Sequence, residues 1–165
     1  MPMRWRGRPG GTAILVAATL LAGCGSASGR SADAARLTVA DDAGRELATL
    51  SLPKDGGFAL EYRNSLYGTM VRESFRASRD VISLEALWAE QLAVLEEYYA
   101  IDEPADRELG GWTAAPAIET RLTELRLAAT DLGERTLLVE GADPIPLYRF
   151  VEDETPTVLI TVDGG

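Results

Sequence analysis

One cysteine and no histidine stand in this chain of 165 residues, and that pair of numbers decides most of the chemistry open to it. Without histidine there is no imidazole base for a Ser-His-Asp or Cys-His nucleophile and no histidine ligand for zinc. The cysteine, Cys24, ends the run Leu21-Ala22-Gly23-Cys24. An aliphatic residue, two small residues and a cysteine are the pattern at which a bacterial lipoprotein signal peptidase cuts and a thiol is acylated. Before it come Arg4, Arg6 and Arg8, then an apolar stretch from Thr12 to Leu21. A stretch of ten residues is too short to span a bilayer, which takes about 20, but suits the hydrophobic part of a signal peptide. Residues 1–23 therefore read as a lipoprotein signal peptide and Cys24 as the lipidation site. Two or more acyl chains on Cys24 would anchor the protein stably where one would not. The bland alternative is an ordinary secretory signal with an incidental cysteine.

The carboxylates are plentiful and hard to assign. A pair of them could serve glycoside hydrolysis, yet with 26 Asp and Glu some pair always looks suggestive. Asp41-Asp42-Ala43-Gly44 and Glu152-Asp153-Glu154 lack the spaced ligands of a calcium loop and read as solvated turns. There is no phosphate-binding glycine motif. The reading is a protein without catalytic residues, metal ligands or cofactor. Cleavage after Gly23 removes three of the 16 basic side chains and keeps all 26 acidic ones, moving the net charge from −10 to about −13. That balance argues against nucleic acid and against anionic lipid headgroups as partners. Membrane lipid is then met through acylated Cys24 alone. The expected location is the outer face of the bacterial cell membrane.

The elements that must carry these residues are mostly strands. Residues 24–35, the acylated cysteine and the small polar run GSASGRSADAA, form a tether too poor in apolar groups to fold. From residue 36 to 165 one domain is expected. Leu37 to Val39 and Leu47 to Leu52 are strands around an Asp41–Gly44 turn, and Pro53–Gly57 is a second turn. Phe58, Leu60 and Tyr62 alternate with polar neighbours, as do Val71, Glu73 and Phe75. Further strands are expected over Asp80–Leu87, Gly111–Ala115, Arg121–Thr130, Thr136–Glu140, Leu147–Val151 and Thr157–Val162, with Asp131–Glu134 as a hairpin loop. Leu84, Leu87, Trp88, Leu92, Leu95, Tyr98 and Tyr99 recur at three- and four-residue steps, which predicts a short helix over about 88–100 packed on the sheet. The fold class is thus mainly β, a single-domain antiparallel sandwich or barrel with one short helix.

At Phe58-Ala59-Leu60-Glu61-Tyr62-Arg63-Asn64-Ser65-Leu66 and Val71-Arg72-Glu73-Ser74-Phe75 the chain resembles the small exported proteins gathered as domain of unknown function 1850. Pro146-Leu147 and Val158-Leu159-Ile160 continue the likeness, which spans residues 36–162. Members are often encoded beside TRAP transporters of the TAXI group, so the resemblance implies an accessory of solute uptake, with transporter subunits or an extracytoplasmic binding protein as partners. Tyr62, Ser65 and Glu73 match the family pattern, while Asn64 stands where the family has histidine. Asparagine hydrogen-bonds but does not titrate near neutral pH. Tyr62, Asn64, Ser65, Arg72 and Glu73 are the candidate partner or solute contacts. The alternative for Tyr62–Ser65 is a strand end running into an Asx- or Ser-stabilised turn. Three functions stay open: a non-catalytic envelope lipoprotein serving a transporter, a small-solute-binding module with a pocket near Asn64, Arg72, Trp88 and Tyr98, and a carboxylate-based hydrolase.

Overall fold

The computed structural model describes residues 35–102, 106–108, 110–152 and 154–164. The Leu21–Cys24 run and the expected tether up to residue 34 lie outside them. Twelve strands among the described residues form two antiparallel sheets: β1 (Arg36–Asp41), β2 (Glu46–Ser51), β3 (Gly57–Arg63), β4 (Met70–Ser78), β5 (Val81–Ala89), β6 (Asp106–Glu108), β7 (Gly111–Ala114), β8 (Arg121–Leu122), β9 (Glu124–Ala128), β10 (Thr136–Leu138), β11 (Ile145–Pro146) and β12 (Thr157–Asp163). The smaller sheet has the order β2-β1-β12-β9. The larger runs β11-β10-β3-β4-β5-β7-β6, with β8 also paired to β5. The two pack face to face, as a β-sandwich requires of sheets with one apolar face each.

The period-2 patterns explain the core directly. Leu37 and Val39 of β1 and Val158, Ile160 and Val162 of β12 point inward from the smaller sheet. Phe58 and Leu60 of β3, Phe75 of β4, Ile82 of β5 and Leu137 of β10 meet them from the larger. Phe58 and Phe75 stack with ring centroids 5.2 Å apart. Each such side chain, removed from water, contributes about 1.5–3 kcal/mol. The β1–β2 hairpin closes where Asp41 Oδ1 accepts the backbone N–H groups of Ala43 (3.0 Å) and Arg45 (2.8 Å), with Gly44 at φ +78°.

The helix expected over 88–100 is shorter than its apolar stripe suggested. β5 continues through Trp88 and Ala89, which pair with Arg72 and Val71 on one side and Thr113 and Trp112 on the other. Helix is confined to residues 92–98, most of it the wide turn Val94–Tyr98. The three-residue step from Leu84 to Leu87 arises within a strand: a bulge at Glu85 lets Phe75 face Leu84 and Glu73 face Leu87. A bulge inserts one extra residue and so turns a period of two into an apparent three. Ladder bonds on both edges then override helix propensity. Beyond β5, residues 90–101 fold back over the inner face of the larger sheet. Val94, Leu95 and Ile101 cover Tyr62, Val71, Leu87 and Ala89 there.

Three other expectations are corrected. Residues 121–130 hold two strands rather than one, because the chain changes sheets: β8 pairs with β5 and β9 with β12. For the same reason Asp131–Glu134 is not a hairpin loop, since it carries the chain from β9 in the smaller sheet to β10 in the larger. Leu147–Val151 is not a strand. Leu147–Arg149 is one tight turn whose apolar anchor, Leu147, is fully buried.

β3 runs from one end of the sandwich to the other, a length of roughly 20 Å for seven extended residues. At its start lie Pro53–Gly56 and Ala35, whose carbonyl accepts the Leu52 N–H (2.8 Å). At its finish lie the loops 64–69 and 130–134 and the helical turn. No helix among the described residues is long and apolar enough to cross a membrane.

Candidate functional site

Consecutive residues on a strand point to opposite faces, and this separates the five candidate contacts. Glu73 is in register with Leu60 and Leu87 and faces inward, as does Tyr62 opposite Val71. Arg72 faces outward between Glu61 and Trp88. Asn64 ends β3 and is buried at 4% exposure. Its Oδ1 accepts the N–H groups of Leu66 (3.0 Å) and Tyr67 (3.1 Å), while its backbone bonds Thr69 and Gly68. Asn64 therefore builds the turn of the alternative reading in its Asx-stabilised form. Ser65 is exposed on that turn.

Inside, Tyr62, Tyr99 and Glu73 form a clamp. The Tyr99 hydroxyl donates to Glu73 Oε1 at 2.6 Å; the Tyr62 hydroxyl bonds that of Tyr99 and lies 3.3 Å from the same carboxylate oxygen. Burial, and after it the negative charge of Glu73, raises the pKa of both phenols well above their ordinary value. The Arg135 guanidinium caps the Tyr62 ring, 4.3 Å from its centroid. The clamp fastens the end of the helical turn to β3 and β4. Sequence reasoning placed Tyr62 and Glu73 together but missed Tyr99 as their partner, because nothing local marks a residue that arrives after a fold-back.

Outside, the larger sheet carries a groove of about 470 Å³. Two small residues, Ser74 and Ala86, lie abreast on β4 and β5 in its floor. Beside them runs the longer row Glu61, Arg72, Trp88 and Thr113. Arg72 bonds Glu61 Oε2 through Nε (3.1 Å) and Nη2 (2.6 Å). The Trp88 indole N–H donates to the Glu108 carbonyl at 3.1 Å. Of the four residues expected around a pocket, Arg72 and Trp88 meet here as cross-strand neighbours, while Asn64 and Tyr98 lie elsewhere. Glu90 and Glu108 complete the wall. Their arrival depends on strand register, which no motif announces.

At the far end of β3 three segments adjoin. The Arg63 N–H donates to the Gly133 carbonyl (2.8 Å), and its guanidinium pairs with Glu134 (3.6 Å) and bonds the Gly68 carbonyl (2.9 Å). The Tyr67 hydroxyl bonds Glu97 of the helical turn. On these joined segments Leu66, Leu132 and Tyr98 are 76%, 69% and 59% exposed.

Among the described residues no group of three or more Asp, Glu, His or Cys could hold a metal ion. No family model matches the chain, and neither a curated protein nor a solved structure matches it.

Proposed function

We propose that the chain is a lipid-anchored protein of the bacterial cell envelope, without catalytic activity, that serves a solute-uptake system by docking on one of its components. The observation that carries this reading is the placement of Leu66 and Leu132. Both stand exposed on loops tied together through Arg63, at the end of the sandwich opposite Ala35. A chain arriving from an acylated Cys24 enters at Ala35, so the leucines face away from the anchor. Contiguous exposed apolar patches mark contact sites, and the docking reading takes Leu66 and Leu132 as parts of one such patch. The likeness of residues 36–162 to exported proteins encoded beside TRAP transporters of the TAXI type supports such a transporter as the neighbour. The groove's volume alone, which lies within the range of ligand sites, speaks for a second reading, a small-solute-binding module.

The test is affinity capture from membranes solubilised in mild detergent, with co-purified proteins identified by mass spectrometry. Wild type should retain a permease or binding subunit of an uptake system. Leu66→Asp/Leu132→Asp should lose it while melting at an unchanged temperature. Cys24→Ser should move the protein out of the membrane fraction. Failure to retain any uptake component, or equal capture by the double variant, overturns the docking reading. Unchanged membrane retention of Cys24→Ser overturns the anchor.

A further inference from the structure

We infer that the groove on the outer face of the larger sheet is a docking site for an arginine- or lysine-bearing segment of a partner protein. This rests on the groove alone and holds whether or not Cys24 is acylated or the leucine loops dock. Three carboxylates, those of Glu61, Glu90 and Glu108, meet one guanidinium in its wall. Both bonding nitrogens of Arg72 are committed to Glu61. Glu90 takes the Met70 N–H at 2.9 Å, and among the described residues neither Glu90 nor Glu108 meets a cation. The groove is therefore left with a negative balance beside an aromatic ring.

That ring is held ready. Its N–H is fixed on the Glu108 carbonyl, which brings the strand bearing the Glu108 carboxylate alongside the indole. Gly111 packs so close that a Cβ there would stand 2.6 Å from Trp88 Cε2 and Cζ2. Only glycine lets the β6–β7 turn lie against the indole this way. A guanidinium or ammonium group set on the ring gains from the ring quadrupole and from the flanking carboxylates together. A carboxylate ligand would meet repulsion from Glu90 and Glu108.

The shape selects a protein segment over a free amine. Small-molecule sites enclose most of their ligand, whereas this groove lies along an exposed sheet face between strand rows. A segment laid along that face brings its cation already oriented. The chain's net charge of −10 draws a basic partner toward it.

The experiment titrates full-length protein in mild detergent with a labelled short peptide of alternating glycine and arginine, reading fluorescence anisotropy at low salt. A glycine–glutamate peptide and free arginine amide are the comparison probes. The arginine peptide should bind and the glutamate peptide should not. Glu90→Gln/Glu108→Gln should weaken binding by about tenfold or more. Trp88→Phe, which keeps an aromatic ring in the ladder, should weaken it severalfold with the melting temperature little changed. Asp143→Asn/Glu152→Gln, exposed positions outside the groove, should bind like wild type. Absence of arginine-peptide binding overturns the proposal, and so does equal weakening by the Asp143/Glu152 pair, which would mean diffuse charge attraction. Arginine amide binding as tightly as the peptide overturns the choice of a protein segment in favour of a small organic cation.

Discussion

Replacing Tyr99 with phenylalanine deletes one oxygen and asks whether Glu73 is held from inside the fold. Glu73 lies in an inward row between Leu60 and Leu87, and its closest donor among the described residues is the Tyr99 hydroxyl at 2.6 Å. A hydrogen bond to a charged acceptor contributes about 1.5–3 kcal/mol, and losing a donor leaves the carboxylate to bear its desolvation cost. Glu73 is only half-buried, and the Tyr62 hydroxyl, 3.3 Å away, can close in. The loss should therefore fall near the lower bound, about 1.5–2 kcal/mol. For a domain of this size that is roughly 5–8 °C in melting temperature. Glu73→Leu removes the acceptor and suits the apolar row, so it should cost less than Tyr99→Phe. In the double variant no carboxylate is orphaned, and its loss should fall short of the sum of the single losses by about 1 kcal/mol. Urea melts of the four proteins give the cycle directly. A Tyr99→Phe loss below about 0.5 kcal/mol with additive effects would refute the clamp and return Glu73 to the pool of candidate contacts.

Two other outcomes follow from the same geometry. Gly56 and Gly44 have similar left-handed φ values, +73° and +78°, but a Cβ on Gly56 would stand 2.1 Å from the Ala77 carbonyl oxygen while one on Gly44 meets nothing within 4 Å. Gly44→Ala should cost about 1 kcal/mol and Gly56→Ala distinctly more, above about 2 kcal/mol, in denaturant melts; equal losses would refute the steric argument. In alkali, Tyr62 and Tyr99 have folded pKa values raised above the unfolded one. Their contribution is whole below a pH of about 10 and is lost as the pH climbs from there toward the folded values. Phenolate absorbance from these two should therefore appear together with unfolding; early, non-cooperative ionisation of all five tyrosines would contradict their burial.

β3 and β12 were legible because one face of each is buried along its whole length, so period two survives in the residue order. β5 was misread for a physical reason: the bulge at Glu85 shifts the inward set from Ile82 and Leu84 to Leu87 and Ala89, and a shifted strand imitates a helical stripe. The expected hairpin at 131–134 failed because a turn's composition does not say whether its two strands pair with each other or with different sheets. Grouping Arg72 with Glu73 overlooked what strand geometry already demands, that neighbours in sequence face opposite sides. What no local pattern could give is the meeting of Trp88 with Glu108, or of Glu73 with Tyr99. Both depend on register and fold-back, set by the summed packing of several strands.

Asn64 ties the fold to the proposed contact. An exposed leucine on a slack loop is a poor ligand for a partner, because ordering the loop on binding offsets what burial of the side chain contributes. Here the ordering is done beforehand. Oδ1 of Asn64 takes two backbone N–H groups, the Asn64 carbonyl takes that of Gly68 at 2.7 Å, and Arg63 bonds the Gly68 carbonyl from the other side. With these backbone donors turned inward, the Leu66 side chain faces out beside Ser65. A histidine at this position would offer at most one acceptor nitrogen when neutral and none when charged, so it could not hold both N–H groups or do so at every pH. Asn64, which cannot carry a proton as histidine does, holds the backbone of the 64–69 loop in place, and the proposed docking through Leu66 relies on that order.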